Sequence, residues 1–332
     1  MPELPEVETI RRGLNRLVIG KIIKSAVTDN PRSFPNALAD VRAFLVGAQI
    51  VDVRCRAKVL MIDLSSKYTL VIHLKMTGQL VFVNENIEYG EWNMEGGEML
   101  NKNNQSPKTT ASSLPTSNSH IPIAETREAR FAGGHPSDGL VGQLPDKSTR
   151  VIIEFTDGSH LYFNDQRKFG WVRLMPTAEV PNIDFMKRVG PEPLEADFTP
   201  KQFADRFTRR AKTTIKAALL DQSVIAGVGN IYADEALWGA MIHPSTRVGD
   251  LPYSKFKSLY TEVRYVMNLS IDKGGSTNRN YLNAEGKKGS YMDFARVFRR
   301  EGQACPRCGA EIIKIRVAGR GTHLCPTCQR QG

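Results

Sequence analysis

Long apolar runs are absent from this sequence. No stretch of about 18 uncharged apolar residues occurs in it, which argues against a membrane-spanning helix. The opening segment also lacks the apolar centre of a secretory signal, so we expect a cytoplasmic protein without a membrane partner. Hydrophobic residues still make up 41% of the 332 positions, which is sufficient for two packed cores.

Cysteine is scarce, and the five cysteines are unevenly distributed. Cys305 and Cys308 form one close pair, Cys325 and Cys328 form a second pair sixteen residues later, and Cys55 stands alone. This spacing is typical of two zinc knuckles and argues against a disulfide framework. Four thiolates complete a closed tetrahedral shell, so we expect one structural Zn²⁺ and no small-molecule cofactor.

Acidic residues are in deficit, with 35 Asp or Glu against 45 Lys or Arg. The segment from Lys273 to the end accounts for most of the surplus, because it holds twelve basic and four acidic residues. Concentrated positive charge favours an anionic partner. The hairpin expected between the cysteine pairs carries Lys314, Arg316 and Arg320, which favours nucleic acid as that partner.

The first nine residues carry unusual chemistry. Removal of Met1 would leave the secondary amine of Pro2 as the mature N-terminus, next to Glu3. A terminal amine has a reference pKa of about 7.7 to 8, against about 10.4 for lysine, so it is a nucleophile near neutrality. Its attack on a sugar aldehyde carbon would give an iminium ion, and Glu3 could transfer the protons. The alternative is ordinary helix capping, with Pro at the start and Glu6 in the first turn.

Hydrophobic periodicity divides the chain into a strand-rich first part and a helical second part. The first part predicts an amphipathic helix over 5–18 and a second helix over 36–46. Its predicted strands are 21–28, 49–55, 59–64, 69–74, 79–83, 150–155, 158–164 and 171–174. The second part predicts helices over 213–222, 231–238 and 253–271, and one that begins at Pro200 after a Thr199 cap.

The segment 223–230 predicts a glycine-containing turn at the start of a helix. Backbone N–H groups at such a turn can bind a phosphate. The alternative is a tight turn between helices in which the glycines provide only geometry.

These patterns predict several units along the chain. The predicted limits are 2–176 for a β domain, 177–198 for a linker, 199–272 for a helical domain, 273–291 for a mobile loop and 292–332 for the zinc finger. Within the β domain, residues 84–130 are polar and lack a sustained period. We predict a disordered insertion there.

Several motifs, in the right order, resemble the formamidopyrimidine-DNA glycosylase family. They are Pro2-Glu3-Leu4-Pro5-Glu6-Val7-Glu8, the segments 73–78, 165–170 and 227–232, and the four-cysteine finger with residues 318–323. The resemblance covers nearly the whole chain apart from 84–130. It implies an α+β fold with an N-terminal catalytic β-sandwich domain with flanking helices, a helix-two-turn-helix domain at 199–272, a lesion-capping loop at 273–291 and a β-hairpin zinc finger.

The resemblance also implies an activity. Members of this family flip an oxidised purine, such as 8-oxoguanine or a formamidopyrimidine, out of double-stranded DNA. They cleave its glycosidic bond and then nick the strand at the abasic site by β,δ-elimination. We therefore expect a base-excision repair enzyme that works as a monomer on damaged duplex DNA.

Roles for individual residues follow from the same resemblance. The residues similar to the family's catalytic groups are Pro2 as nucleophile, Glu3 as acid and base, Lys58 for β-elimination and Arg320 for δ-elimination. Those similar to the groups that fill the gap left by the extruded base are Met76, Arg167 and Phe169. Those similar to phosphate-binding positions are Lys212, Lys216 and Asn230, with His73 either joining them or being a satisfied buried histidine. Tyr281 or Tyr291 would touch the flipped base.

Two alternatives remain open. An endonuclease VIII-like glycosylase for oxidised pyrimidines shares the nucleophile and the finger, although the opening motif and the three gap-filling residues look more like the purine branch. A catalytically silent zinc protein that binds DNA through the same basic end predicts binding without cleavage.

Overall fold

The computed structural model describes residues 2–84, 129–134, 143–276 and 290–331. Its α+β architecture agrees with the predicted fold class. The first helix, α1, spans Leu4–Val18 and buries Val7, Ile10 and Leu14 on one face, which confirms the predicted amphipathic helix. The predicted second helix is shorter and irregular, with an α-helical turn α2 at Leu38–Asp40 followed by a π-helical turn at Val41–Leu45.

Nine strands form two antiparallel sheets in the described part of the β domain. They are β1 Ile23–Thr28, β2 Ile50–Arg56, β3 Val59–Leu64, β4 Tyr68–His73, β5 Gly78–Asn84, β6 Ala129–Gly134, β7 Thr149–Phe155, β8 His160–Asp165 and β9 Trp171–Pro176. The five-stranded sheet has the order β1-β7-β8-β5-β6, and the four-stranded sheet has the order β2-β3-β4-β9. One apolar core joins the inner faces of both sheets to α1, as expected of a sandwich.

Strand β6 was not predicted. It pairs with β5 so that Phe131 lies opposite Phe82, and it forms the edge of the larger sheet next to α1. A side chain at Gly13 of α1 would meet the Phe131 ring at 2.3 Å, so the glycine lets the helix lie directly on this strand. The sequence signal is weak because Phe131 is followed by Ala132, Gly133 and Gly134, residue types with low strand propensity.

The second part of the chain is helical, as predicted. Its elements are a 3₁₀ turn at Thr177–Asn182, α3 Asp184–Arg188, α4 Pro200–Phe207, a 3₁₀ turn at Thr208–Arg210, α5 Ile215–Leu220, α6 Asn230–Gly239, a 3₁₀ turn at Val248–Asp250, α7 Tyr253–Asp272 and α8 Tyr291–Phe294. Thr199 caps α4 in a reciprocal arrangement with Gln202. Strands β10 Ile313–Val317 and β11 Arg320–Leu324 form the expected hairpin.

The predicted linker is partly folded onto the β domain. Val180 is buried, and Ile183 and Phe185 pack with it against Val59 and Val71 of the four-stranded sheet. The segment therefore covers the outer face of that sheet before it reaches α4. The domain limits themselves stay a prediction. Among the described residues, no helix has the length and apolar character needed to span a bilayer.

Candidate active site and nucleic-acid interface

The start of α1 is held against the glycine turn that precedes α6. Leu4 N–H donates to the carbonyl of Gly227, 3.1 Å away, and Gly227 has a φ of +83° that favours glycine. A side chain at Gly229 would lie 2.0 Å from the Glu3 carboxyl group. The two glycines therefore allow the first residues of the chain to enter the helical domain.

Glu3 is a buried carboxyl group with an altered pKa. It is 7% exposed, and burial raises its pKa to about 7, while the positive charge of Lys58 opposes this shift and the negative charge of Glu6 adds to it. Its Oε2 atom has no hydrogen-bond partner among the described residues. A carboxyl group of this kind can hold a proton near neutral pH and release it during a reaction.

Lys58 lies close to Glu3 and contacts the same glycine turn. Its ammonium group is buried and donates to the carbonyl of Val228, 3.2 Å away. Burial lowers the pKa of Lys58, whereas the negative charges of Glu3 and Glu6 raise it and the positive charge of Arg320 lowers it further. Both ends of the chain therefore meet here, since a charge from the zinc hairpin acts on a residue beside the N-terminus.

The turn that carries Lys58 is fastened to the segment that follows α3. Ala57, whose φ is +55°, donates its N–H to Glu192, and Arg56 forms an ion pair with Glu195. Burial raises the pKa of Glu192, while its hydrogen bond to the Ala57 backbone opposes the shift. These contacts hold the β2–β3 turn on the segment that leads into the helical domain. Sequence reasoning missed them, because residues 190–195 look only like a proline-rich connection.

Glu6 connects the N-terminus with two distant parts of the chain. Its Oε2 accepts the Glu3 N–H at 2.8 Å, and its Oε1 accepts the Tyr232 hydroxyl at 2.5 Å and the Ser276 hydroxyl at 2.7 Å. Tyr232 also bonds to Ser270 of α7 at 2.6 Å. The segment 273–276, where the predicted lesion-capping loop begins, is therefore tied to the buried carboxyl pair.

Met76, Arg167 and Phe169 form one exposed cluster, which we call the rim. Met76 is 45% exposed and Phe169 is 55% exposed. The Arg167 guanidinium lies 5.1 Å from the Phe169 ring centre and 3.4 Å from the Met76 sulfur. Buried Asp165 supports the rim, because it accepts N–H groups from Arg167 at 3.2 Å and Gly170 at 2.6 Å.

The predicted phosphate-binding residues are placed very differently from one another. Lys212 is exposed, and half-buried Asn230 donates from its amide to the Gly321 carbonyl at 3.1 Å. His73 is buried, its Nδ1 accepts the Lys75 N–H at 3.0 Å, and burial together with the charges of Lys75 and Lys58 lowers its pKa to about 3. The ring is therefore neutral, and it is a buried histidine that is satisfied at Nδ1.

Lys216 contradicts its predicted role. Its side chain and that of Asp234 are both 0% exposed and form an ion pair of 2.6 Å. An ammonium group enclosed in this way cannot reach a DNA phosphate. The physical reason is that Lys216 lies on the face of α5 that packs against Asp234 of α6. Helical periodicity in the sequence does not show which polar residue will face an acid in a neighbouring helix.

The described residues include only the two ends of the predicted lesion-capping loop, 273–276 and 290–291. Tyr281 lies outside the described residues, as does most of the predicted loop. Tyr291 is buried, with its ring 5.5 Å from that of Tyr232. The prediction that Tyr291 touches a flipped base is therefore wrong, because the ring belongs to the core of the helical domain.

The four paired cysteines converge into one cluster. Their sulfur atoms lie within 4.8 Å of one another, with 3.4 Å between Cys308 and Cys325 and 3.9 Å between Cys305 and Cys328. A Zn–S bond of about 2.3 Å in a tetrahedron requires sulfur separations of roughly 3.8 Å, so the cluster fits zinc. His323 takes no part, because its Nδ1 faces Asp234 at 3.3 Å.

Family models match most of the chain. The formamidopyrimidine-DNA glycosylase N-terminal domain matches residues 1–172, and the formamidopyrimidine-DNA glycosylase H2TH domain matches residues 189–281. A zinc finger found in FPG and IleRS matches residues 302–331. The three matches follow the order of the β domain, the helical domain and the finger.

Similar proteins match over the full length. The formamidopyrimidine-DNA glycosylase of Streptococcus pyogenes serotype M6 is 35% identical over 100% of this chain and 99% of its own length, and that of Pediococcus pentosaceus is 36% identical over 99% of each chain. A structure of Lactococcus lactis Fpg with abasic-site DNA has a TM-score of 0.75 and 30% identity, covering 99% of this chain and 100% of that one. A structure of the same protein with FAPY-dG DNA has a TM-score of 0.74, 30% identity and the same coverage.

Proposed function

This chain belongs to the formamidopyrimidine-DNA glycosylase family, and on that premise we propose which of its residues carry out the reaction. It is a base-excision repair glycosylase that acts on damaged DNA, and its four-cysteine finger is a structural zinc site. We propose that it removes oxidised purines from duplex DNA and then nicks the strand by β,δ-elimination. We also propose that it works as a monomer in the cytoplasm without a small-molecule cofactor.

The buried carboxyl group of Glu3 is the observation that carries this proposal. It lies beside the chain terminus and the Lys58 ammonium, and its pKa of about 7 allows both protonation states near neutral pH. A helix cap alone does not need a carboxyl group in this environment. A functional role for its proton would explain why a carboxyl group is present at a position where desolvation is costly.

The first stage releases the base. The Pro2 nitrogen attacks C1′, the bond from C1′ to the base breaks, and the base leaves with the electron pair and takes up a proton. Glu3 donates a proton to O4′ as the C1′–O4′ bond opens, and loss of the amine proton completes a C1′=N⁺ iminium ion. The cation of Lys58 beside Glu3 stabilises the carboxylate that results.

The second stage cuts the strand. The iminium ion draws electrons from C2′, whose proton is lost as the bond from C3′ to the phosphate oxygen breaks. Loss of a further proton from C4′ and breakage of the C5′–O bond complete δ-elimination, and water then releases Pro2. We assign Lys58 to the first elimination and Arg320 to the second, because cations suit departing phosphate groups.

The remaining residues would hold the DNA in an opened form. The rim of Met76, Arg167 and Phe169 offers a flexible apolar chain, a planar cation and an aromatic ring, which suit a gap in the base stack. Exposed Lys212 and half-buried Asn230 would contact phosphates. His73 would contribute only through its Nε2–H, since Nδ1 already accepts a backbone hydrogen bond.

Borohydride trapping tests the nucleophile. With a duplex containing 8-oxoguanine, we expect a covalent complex for the protein that begins at Pro2 and none for the same protein with Met1 retained or an N-terminal tag. The matched control is affinity for duplex DNA that contains a non-cleavable abasic analogue, which both forms should retain. Trapping that persists with a blocked terminus would show that the nucleophile is a lysine and not Pro2. Preferential cleavage of oxidised pyrimidines in competition would overturn the proposed substrate class.

A further inference from the structure

A fully buried ion pair lies between the helical domain and the zinc hairpin. Lys216 of α5 and Asp234 of α6 are 2.6 Å apart and both 0% exposed. Removing two charges from water is costly, and such pairs are weak evidence for stability by themselves. The steps assigned above to Pro2, Glu3, Lys58 and Arg320 do not use this pair.

The pair binds the second strand of the hairpin directly. The Lys216 ammonium donates to Thr322 Oγ1 at 2.7 Å and to the Gly321 carbonyl at 3.3 Å. The other oxygen of Asp234 accepts the His323 N–H at 2.9 Å. Three consecutive residues of β11 are therefore held by two opposite charges, and all three ammonium protons of Lys216 have an acceptor.

The residue next to this anchor is Arg320. It is exposed at the first position of β11, directly after a tight turn in which Ala318 and Gly319 have φ values of +49° and +74°. A two-stranded hairpin has little stability alone, so its contacts with the zinc cluster, with Asn230 and with this ion pair together set where its tip points. Arg320 lies near enough for its charge to act on Lys58 and on Lys216.

We propose that Lys216 and Asp234 are positioning residues that direct Arg320 at the phosphate of the strand to be cut. The pair acts through the backbone of Gly321 and Thr322 and touches neither DNA nor the reacting atoms. This inference rests on the assignment of Arg320 to δ-elimination. A displacement of about 1 Å at a reacting group can lower a rate by up to roughly a hundredfold, so loss of the anchor would affect the second elimination selectively.

The test compares base release with product distribution in single-turnover reactions. In the double variant Lys216→Met with Asp234→Asn, no unpaired charge is left buried and the acceptor for the His323 N–H is kept. We expect base release within about twofold of the parent and δ-elimination at least about tenfold slower, so that the β-elimination product accumulates. Zinc content and the melting temperature are measured on the same samples.

A second pair of variants covers the case in which the double variant does not fold. Thr322→Val removes, at nearly constant volume, the acceptor of Lys216 and the hydroxyl that donates to the Arg320 carbonyl at 3.1 Å, and Thr322→Ser restores both. We expect Thr322→Val to shift the products toward β-elimination and Thr322→Ser to resemble the parent. Glu235→Gln is the matched control in α6, because Glu235 is equally buried but accepts N–H groups from 297 and 298 instead. It should leave the product ratio unchanged.

Arg320→Ala distinguishes an error in the positioning role of Lys216 and Asp234 from an error in the assignment of Arg320 to δ-elimination. If Arg320→Ala retains normal δ-elimination, the assignment of Arg320 is wrong. If Arg320→Ala loses δ-elimination while the pair and Thr322→Val variants keep the parental product ratio, the positioning role is wrong. Equal slowing of base release and δ-elimination would indicate a general structural role and would also overturn it.

Discussion

The buried carboxyl site and the exposed rim differ in how far their side chains are exposed to water, and their proposed roles require this difference. Glu3 is 7% exposed and is surrounded by Glu6, Lys58 and the glycine turn. Phe169 is 55% exposed and lies in the loop that buried Asp165 holds. The first site is proposed to transfer protons, and burial raises the pKa of its Glu3 carboxyl group. The rim is proposed to enter a base stack, and this role requires side chains that are exposed before DNA binds.

The difference shows where stability and activity conflict. A buried ionisable group is costly to the folded state, whereas an exposed aromatic residue costs little until it binds. We therefore expect substitutions in the carboxyl site to change chemistry and stability in opposite directions. Substitutions in the rim should change activity on duplex DNA with little effect on folding.

Glu3→Gln is expected to have the largest effect on activity. Loss of the proton donor should slow base release by about 10²- to 10⁴-fold, measured in single turnover with an oxidised-purine duplex. Affinity for a non-cleavable abasic analogue serves as the control and should change little. A variant that releases base at the parental rate would show that Glu3 is only a helix cap.

The same variant should be more stable than the parent, and the gain should depend on pH. The folded pKa of Glu3 is about 7, above the reference value of 4.5, so the folded protein binds more protons than the unfolded chain between these values. The parent therefore loses stability as pH rises from 4.5 to 7, whereas glutamine cannot ionise. Thermal denaturation should show a gain on the order of 2–3 kcal/mol above pH 7 and little gain below pH 4.5. An equal gain at both pH values would contradict the raised pKa.

Cys308→Ala tests whether the hairpin that carries Arg320 depends on zinc while the β domain does not. The variant should lose zinc and bind lesion DNA roughly tenfold more weakly, equivalent to ~1.4 kcal/mol, because the hairpin that carries Arg320 loses its scaffold. The β domain should stay folded, as judged by circular dichroism, since its core is separate from the cysteine cluster. Unchanged zinc content would refute the four-thiolate site. Cys55→Ala is the control, because Cys55 lies in β2 and bonds to Glu8.

Phe169→Ala addresses the rim. We expect a change in the free energy of unfolding within about 0.5 kcal/mol, together with base release from duplex DNA about tenfold slower, because extruding a base costs a few kcal/mol that the rim offsets. Phe155→Ala is the matched control, since Phe155 is 0% exposed and its truncation should cost about 3–5 kcal/mol. Rim truncation that destabilises the fold as much as this control would remove the contrast between the two regions.

Lys58→Met should produce the smallest change in base release, a shift in its pH dependence. The Lys58 charge lowers the pKa of Glu3, so its removal should raise that pKa above about 7. The rate of base release would then decline at higher pH than in the parent, by about one pH unit for ~1.4 kcal/mol of lost interaction. The profile is measured in single turnover with base release as the readout, because Lys58 is itself proposed to act in strand cutting. A decline at unchanged or lower pH would contradict the coupling between the two groups.

Local features of the chain were predictable from the sequence. The cysteine ligands follow from spacing within two turns, and α1 and the later helices follow from apolar periodicity over a few residues. Strand β6 was missed because its alanines and glycines become a strand only when β5 offers hydrogen bonds. The role of residues 190–195 was missed because Glu192 acquires a function only when the β2–β3 turn lies against it.

The sequence by itself determined the zinc ligands, the possible amine nucleophile and the order of the structural units, since each depends on residues close together in the chain. The tertiary structure alone decided that Lys216 is buried rather than available to DNA, that Tyr291 belongs to a core, and that Glu3 has a pKa of about 7. Burial and charge at these positions come from residues that are far apart in the chain, such as Glu3 and Lys58 or Lys216 and Thr322. No local pattern of residue types specifies which of them will meet.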